Sequence, residues 1–441
     1  MLTKAKKIIL IFGDLLILYI SLYLTLLLRY GSSFDSFIWQ DHFLPFTIVY
    51  TVWIFIFYLA GLYNQNIAKN NYKFYSILLK AVAVGAFAAI GIFYLTTSFL
   101  ISPKTNLAID IGIFLILFAL WRQAYNRIIR SSALTNRILF IGENAEVNSM
   151  IKILNENPQL GYKILGVLSG SEENIKNIIE KEKVNVVVHA KDAKSEQNLA
   201  GLLYSLLPLG ITVYDLPKFY SEITRKIPVS IIGRTWFLEN LLEVEKGIYE
   251  ITKRGSDILF AFILGIITLP FFPFIIIAIN LNSKGGAFYT QTRVGKNGKI
   301  FKLLKFRTMV EDAEKQGAQW TKENDSRITK IGNILRKTRI DELPQLWNVI
   351  KGDISFIGPR PERPEFVATL EKEIPHYQIR HLVRPGLTGW AQINQPLGSA
   401  SVKDSTEKLQ YDLYYIKNRS LVLDLDILAK TIMVVLKREG H

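Results

Sequence analysis

Two adjacent carboxylates, Asp341 and Glu342, stand in a run of bases: Arg336, Lys337 and Arg339 precede them and the turn Pro359-Arg360-Pro361 follows. Carboxylates can hold a hard cation or attack phosphorus. Guanidinium groups bind phosphate oxygens bidentately and spread the charge that develops in phosphoryl transfer. Acid flanked by base therefore points to a metal-assisted reaction on a phosphorylated substrate. Asp341 could also cap the helix that follows it, with Pro344 tolerated in the first turn, Gly352 closing the helix and Leu343, Leu346 and Trp347 forming its apolar stripe. The two roles are compatible, because a helix N-terminus keeps a carboxylate ionised. Capping alone leaves Glu342 and the arginines unexplained. More bases arrive on residues 288–309, which read as two strands around the turn Asn297-Gly298; the second delivers Lys302, Lys305 and Arg307.

The rest of the composition narrows the chemistry. The chain has no cysteine, which excludes disulfides, thiolate catalysis and Cys-based zinc sites. His42, His189, His376, His381 and His441 show no metal-ligand spacing, so the metal expected is Mg²⁺ on carboxylate and phosphate oxygens. A net charge of +15 suits anionic lipid or anionic substrates. No nucleic-acid-binding module is recognisable, and nucleic acid is not an expected partner.

The elements that must position these residues begin in a membrane. Apolar segments fall at 8–28, 43–62, 77–100 and 107–121. The first three reach the roughly 20 residues needed to span a bilayer, and the fourth is short and holds Asp110. Lys4, Lys6 and Lys7 precede the first, Lys69 and Lys73 separate the second from the third, and Arg122, Arg127, Arg130 and Arg137 follow the fourth; the other two loops hold Arg29 and Lys104. This asymmetry places the N-terminus and everything after Arg122 in the cytoplasm. Without a small-residue cleavage site, the first segment reads as an anchor. Asp14 and Asp110 read as contacts inside the bundle or at its interface, ahead of a functional polar path.

Residues 136–226 alternate strand patterns (137–142, 164–168, 184–190, 211–216) with helix patterns (147–155, 171–183, 196–207), a doubly wound, Rossmann-like α/β module. Its first turn, Gly142-Glu143-Asn144-Ala145-Glu146, has one glycine and two acids that would repel a pyrophosphate, which favours a structural or regulatory module over a cofactor site. Tyr214 and Lys218 match the Tyr-x-x-x-Lys pair of sugar-nucleotide epimerases, but Pro217 interrupts the helix that pair needs.

Residues 227–250 read as a β-rich connector. The apolar run 258–279 contains Pro270 and Pro273, with Lys253 and Arg254 before it and Lys284, Arg293, Lys296, Lys299 and Lys302 after it. Cytoplasmic signals at both ends favour a re-entrant hairpin broken at Pro270 over a fifth span, which would strand the site outside. Helices are expected at 407–416 and 426–436, the latter capped by Asp424 and ended by Lys437-Arg438, lying at the headgroups or in the core. The fold class is thus membrane α + α/β: a four-helix transmembrane bundle (1–130), the cytoplasmic Rossmann-like module (136–226), the connector (227–250), and an α/β catalytic domain (251–441) anchored by a re-entrant helix at 253–281.

KFRTM at 305–309, RKTRIDELPQLWNVIKGD at 336–353, GPRP at 358–361 and RPGLTGWAQ at 384–392 occur in this order. Together they resemble the bacterial sugar transferase family, the polyprenyl-phosphate sugar-1-phosphate transferases, from residue 253 to the C-terminus. The upstream regions resemble the large members that initiate exopolysaccharide or O-antigen synthesis, whose soluble module is not catalytic and whose membrane helix breaks at a proline. Leu269 stands where many members have serine.

The resemblance implies that Asp341 attacks the β-phosphorus of a UDP-sugar, releases UMP and passes the sugar phosphate to undecaprenyl phosphate. Glu342 would orient the site and, with Asp341, hold Mg²⁺. Lys305, Arg307, Arg336 and Arg360 would contact phosphates; Arg380, His381, Arg384, Gly386, Thr388 and Gln392 would shape the nucleotide pocket. It further implies a multi-pass protein of the bacterial inner membrane, with its catalytic domain on the cytoplasmic face, and a homodimer. Two rivals are a membrane-tethered NAD-dependent epimerase or dehydratase and a non-enzymatic scaffold for polysaccharide assembly.

Overall fold

A computed structural model describes residues 2–63, 70–95, 104–130, 135–168, 172–190, 197–241, 246–313, 325–395 and 401–436. Lys69, Lys437, Arg438, His441 and the expected element ends at 100, 171 and 196 lie outside the described residues. The chain divides into two compact units, Met1–Leu216 and Pro217–His441.

The first unit opens with α1 (Leu2–Tyr30), α2 (Ser36–Leu59), α3 (Tyr72–Leu95) and α4 (Lys104–Arg130). Each contains a stretch long and apolar enough to cross a membrane. The fourth is not short, as its sequence suggests: the stretch runs Thr105–Ile129. Arg122, which looked like its cytoplasmic end, is buried inside the bundle. Its guanidinium pairs with Asp14 at 2.6 Å and lies 4.7 Å from the ring centroid of Phe118. Trp121 donates to the other Asp14 oxygen at 3.0 Å. Asp110, also buried, accepts from the hydroxyls of Ser21 (2.6 Å) and Tyr50 (3.0 Å). Both acids are thus contacts between helices; paired and hydrogen-bonded groups are the form in which a low-dielectric interior tolerates charge.

The α/β module follows as β1 (Asn136–Ile141), α5 (Ala145–Glu156), β2 (Tyr162–Leu168), α6 (Glu172–Lys181), β3 (Val186–His189), α7 (Gln197–Leu206) and β4 (Thr212–Asp215). All pairings are parallel, in the order β2-β1-β3-β4. This is a doubly wound order, but it is not the 3-2-1-4-5-6 order of a dinucleotide-binding fold. In the turn after β1, the Asn144 side chain caps α5 by accepting the Val147 N–H at 2.8 Å.

The second unit comprises α8 (Leu216–Thr224, which crosses the boundary), α9 (Arg234–Asn240), α10 (Gly247–Thr268), α11 (Phe272–Asn282), β5 (Phe288–Val294), β6 (Ile300–Phe306), α12 (Lys330–Lys337), α13 (Gln345–Lys351), β7 (Ser355–Ile357), α14 (Pro364–Glu373), β8 (Gly386–Thr388), α15 (Trp390–Asn394), α16 (Val402–Asn418) and α17 (Leu421–Leu436). The stretch read as a β-rich connector holds no strand among its described residues. Ile227, Val229, Ile232 and Phe237 are buried in the core of this unit with Leu409, Leu413 and Ile416 of α16. Their apolar spacing serves packing on a helix, not strand pairing.

The break in the apolar run falls where the prolines place it: α10 and α11 are separated by a 3₁₀ turn, Leu269–Phe271, around Pro270. Each limb packs on the same unit. Ala261 of α10 is enclosed by Phe301, Leu303, Leu346 and Val349, and Arg254 donates to the Val349 and Ile350 carbonyls at 2.6 and 2.7 Å. On the other limb the Phe272 and Phe306 rings lie 4.9 Å apart, and Asn282 accepts the Ile331 N–H at 3.2 Å. Between Ala261 and Phe272 the side chains of Phe262, Leu269 and Phe271 are exposed, as is Phe274 beyond them.

β5 and β6 form the expected hairpin, with Asn297 and Gly298 at φ 55° and 74°. In α17 Asp424 is not the cap but sits inside the first turn. It accepts from Tyr415 (2.9 Å), Tyr249 (2.8 Å) and Lys253 (2.7 Å), tying this helix to α10.

Candidate active site

Thr329 starts α12 by accepting the Gly332 N–H at 2.9 Å. After the helix ends, Arg339 takes a left-handed conformation (φ 58°) that turns the chain into a 3₁₀ segment, Ile340–Glu342, and then α13. A non-glycine residue there costs of order 1 kcal/mol, so the surroundings must over-determine it. The residue at the start of α13 is Pro344, and Asp341 caps nothing. Its Oδ1 is buried with no hydrogen-bond partner. The capping alternative therefore falls. Leu343 and Leu346 pack inward as expected, whereas Trp347 is exposed.

The two carboxylates are held in different states. Glu342 Oε1 faces Arg360 Nη2 at 2.8 Å, Lys305 Nζ at 3.1 Å and Arg339 Nη1 at 3.6 Å. Burial would raise its pKa, but Lys305, Arg360 and Arg339 overcome that and hold the carboxyl far below the usual range. Asp341 goes the other way. Burial pushes it up and the Glu342 charge adds to this, against Lys305, Arg339 and Arg336. Burial lowers the Lys305 ammonium pKa, opposed by Glu342. One acid is a fixed anion whose Oε1 is taken up by cations; its neighbour is less stabilised and carries a bare oxygen.

A residue that the motif reading missed sets this geometry. Buried Asn348 on α13 donates to the Lys302 carbonyl at 2.8 Å and accepts the Leu304 N–H at 3.0 Å, locking β6 to α13 and so Lys305 to Glu342. Its signal in the sequence is an amide between Leu346 and Val349, where an apolar side chain would suffice for packing. Arg336 is held beside the site by its Nε–H bond to the Thr308 hydroxyl, 2.8 Å.

Other expected site residues are engaged elsewhere. Arg307 is buried and donates to the carbonyls of Ser283 (2.9 Å), Lys284 and Gly285 (3.1 Å), securing the chain as it leaves α11. Arg380 is buried against Asp412, and burial followed by the Arg380 charge lowers the His381 pKa to about 4. Gly386 pairs with Ser355, and a side chain there would run into the backbone of Gly358. Thr388 shares a hydrogen bond with Thr431 (2.7 Å), and Gln392 donates to the Leu387 carbonyl (2.9 Å). Arg384 differs: it lines an open cleft of about 370 Å³ with Glu250, Ile251, Arg254 and Lys296, 3.8 Å from Glu250.

Among the described residues no group of three or more acidic or histidine side chains could cage a metal. Mg²⁺ does not need one, since it commonly binds one or two carboxylates, waters and substrate phosphates. Two adjacent carboxylates, Glu342 and Asp341 with its unpartnered buried oxygen, fit that donor set.

Comparison with known proteins adds lineage to this geometry. Residues 248–438 match the family described as bacterial sugar transferase. Over 234 residues the chain is 42% identical to the UDP-N-acetylgalactosamine-undecaprenyl-phosphate N-acetylgalactosaminephosphotransferase of Aeromonas hydrophila, covering 52% of this chain and 53% of that protein. It is 31% identical over 314 residues to the UDP-glucose:undecaprenyl-phosphate glucose-1-phosphate transferase of Klebsiella pneumoniae, covering 67% of each. An uncharacterized sugar transferase of Haemophilus influenzae is 30% identical over 373 residues, 76% of each chain. The chain thus spans about half the length of the Aeromonas relative and two thirds or more of the other two. With the matched stretch enclosing the Asp341–Glu342 pair and its cations, and with the Klebsiella and Haemophilus relatives covered over two thirds or more of their length, the chain belongs to the bacterial sugar transferase family.

Proposed function

We propose that this protein transfers a sugar 1-phosphate from a UDP-sugar to undecaprenyl phosphate through a phosphosugar carried on Asp341. The observation that carries this reading is the buried, unpartnered Oδ1 of Asp341 beside a glutamate already neutralised by cations. That oxygen attacks the β-phosphorus, and the bond to the bridging oxygen breaks. UMP leaves with the electron pair, and the sugar phosphate remains as an acyl phosphate. An oxygen of the lipid phosphate then attacks the same phosphorus, the bond to Asp341 breaks, and the carboxylate is restored. One displacement between bulky anions becomes two.

Lys305, Arg360 and Arg336 meet the charge that develops on phosphate oxygens, and Glu342 orders Lys305, Arg339 and Arg360 around the attacking group. Mg²⁺ held by Asp341 and Glu342 would neutralise the substrate diphosphate when bound.

The hairpin reading of the Pro270 region is part of the proposal. The apolar stretch Gly247–Asn282 is long enough to cross, but Ala261 before the break and Phe272 after it both pack on the second unit, which favours a return to the same face. In this reading α1–α4 span the bacterial inner membrane, the hairpin dips into its inner leaflet, and the active site faces the cytoplasm. The α/β module is not catalytic, the protein is a homodimer, and the reaction opens the membrane stage of exopolysaccharide, O-antigen or capsule synthesis. Against the NAD-dependent rival stand the two acids of the turn after β1 and the placement of Tyr214 on β4 and Lys218 on α8, where no single helical face carries both.

The test is UMP release from a panel of UDP-sugars with undecaprenyl phosphate and Mg²⁺. Asp341→Asn should lower it by about 10³-fold or more, as expected for loss of a nucleophile, with an unchanged melting temperature. Rapid quenching with radiolabelled UDP-sugar should trap label on Asp341. Full activity in the variant would point to the scaffold reading and away from this mechanism.

A further inference from the structure

Arg380 lies in a region that the motifs assign to nucleotide binding, yet its donors point into the protein. Nε and Nη2 reach Asp412 Oδ2 at 3.1 and 2.8 Å, Nη1 reaches the Tyr377 hydroxyl at 2.6 Å, and Nη2 also donates to the main-chain carbonyl of Arg360 at 3.0 Å. That carbonyl is one of four in succession held by fixed donors. Pro359 C=O accepts from the Gly386 N–H at 2.9 Å, and Pro361 C=O from Arg293 Nη1 at 2.9 Å. Glu362 C=O accepts from the Val294 N–H at 2.9 Å. Prolines flank Arg360 and have no N–H to contribute, so this turn can be fastened at those positions only through its carbonyls. Asp412 neutralises Arg380, and both side chains are buried, so neither is available to substrate. The half-buried Arg360 side chain is left to reach Glu342 at 2.8 Å.

We propose that Arg380 and Arg293 are positioning residues: from β5 and from the segment before β8 they clamp the main chain of the turn so that the Arg360 guanidinium meets Glu342 and the substrate phosphate. The role of Arg360 itself rests on the function proposed above; the clamp does not.

A double-mutant cycle on the full-length protein tests it. Arg360→Gln should lower kcat/KM for UMP release about 100-fold and Arg380→Gln about 10-fold, while Arg380→Gln added to Arg360→Gln should cost less than about twofold, because residues acting through one group are not additive. Arg380→Lys should restore part of the loss. Equal losses in the two backgrounds would mark Arg380 as merely structural and overturn the proposal. If Arg380→Gln does not fold, Arg293→Gln replaces it in the same cycle with the same two outcomes.

Hydrogen exchange supplies a readout independent of turnover. Either substitution should accelerate exchange across residues 355–363 while α14 keeps its protection; an unchanged segment overturns the clamp. Should the wild-type protein release no UMP from any UDP-sugar, the proposed function fails and the exchange result still decides the clamp.

Discussion

An aspartate that keeps a buried oxygen free of donors gives up about 1–3 kcal/mol of possible stabilisation, which makes Asp341 the group in this cluster with most to gain from a ligand. The pH dependence follows. In the proposed mechanism attack needs the ionised form, and burial raises the Asp341 pKa, so kcat/KM for UMP release should fall on acidification through a value above the ordinary carboxylate pKa of about 4. Lys305→Met removes the largest opposing charge, and the acid limb should move to higher pH; a limb at or below about 4 in both proteins would contradict this environment. The composition of the cluster was readable from Arg336 to Arg360, because types and order are written in the chain. Side-chain direction was not. Lys305 and Arg307 share a motif, yet one faces Glu342 and the other the carbonyls after α11. Arg380 was assigned to a pocket because its partners, the distant Asp412 carboxylate and the Arg360 carbonyl, cannot be seen from its own segment.

Periodicity located the elements well where one face is buried. The four parallel strands and the Asn297-Gly298 hairpin lie within a few residues of their expected places. It failed where polarity was taken for an end. Arg122 resembled a cytoplasmic flank because its partner, Asp14, lies in another helix; an ion pair between distant residues cannot be seen from one segment. The segment after Ile227 resembled strands because Ile and Val suit a packed loop as well as a sheet. Between elements, Asn348 is the joint to test. Asn348→Leu removes both bonds to β6, leaving the Lys302 carbonyl and Leu304 N–H unpaired, and should cost about 2–4 kcal/mol. Thermal unfolding in detergent should show a lower midpoint, and UMP release should fall as Lys305 loses its support. A midpoint equal to wild type would remove Asn348 from the account.

The whole chain offers its own topology assay, because it contains no cysteine and every introduced thiol is unique. With α1–α4 as spans and the Pro270 region as a hairpin, a membrane-impermeant maleimide applied outside intact cells should label Ser32→Cys. It should reach Asn71→Cys and Lys299→Cys only after permeabilisation. Outside labelling of Lys299→Cys would make the Pro270 region a fifth crossing. The two-sided packing of that region, Ala261 on one limb and Phe272 on the other, carries a consequence for encounter with the lipid. A domain hung from a single tether would roll and tilt, and an acceptor phosphate would have to wait for the right attitude. In the proposed topology a reaction centre moored at two points would keep a constant height, so a long-chain acceptor would need only to drift sideways into register while the nucleotide sugar arrived from bulk water.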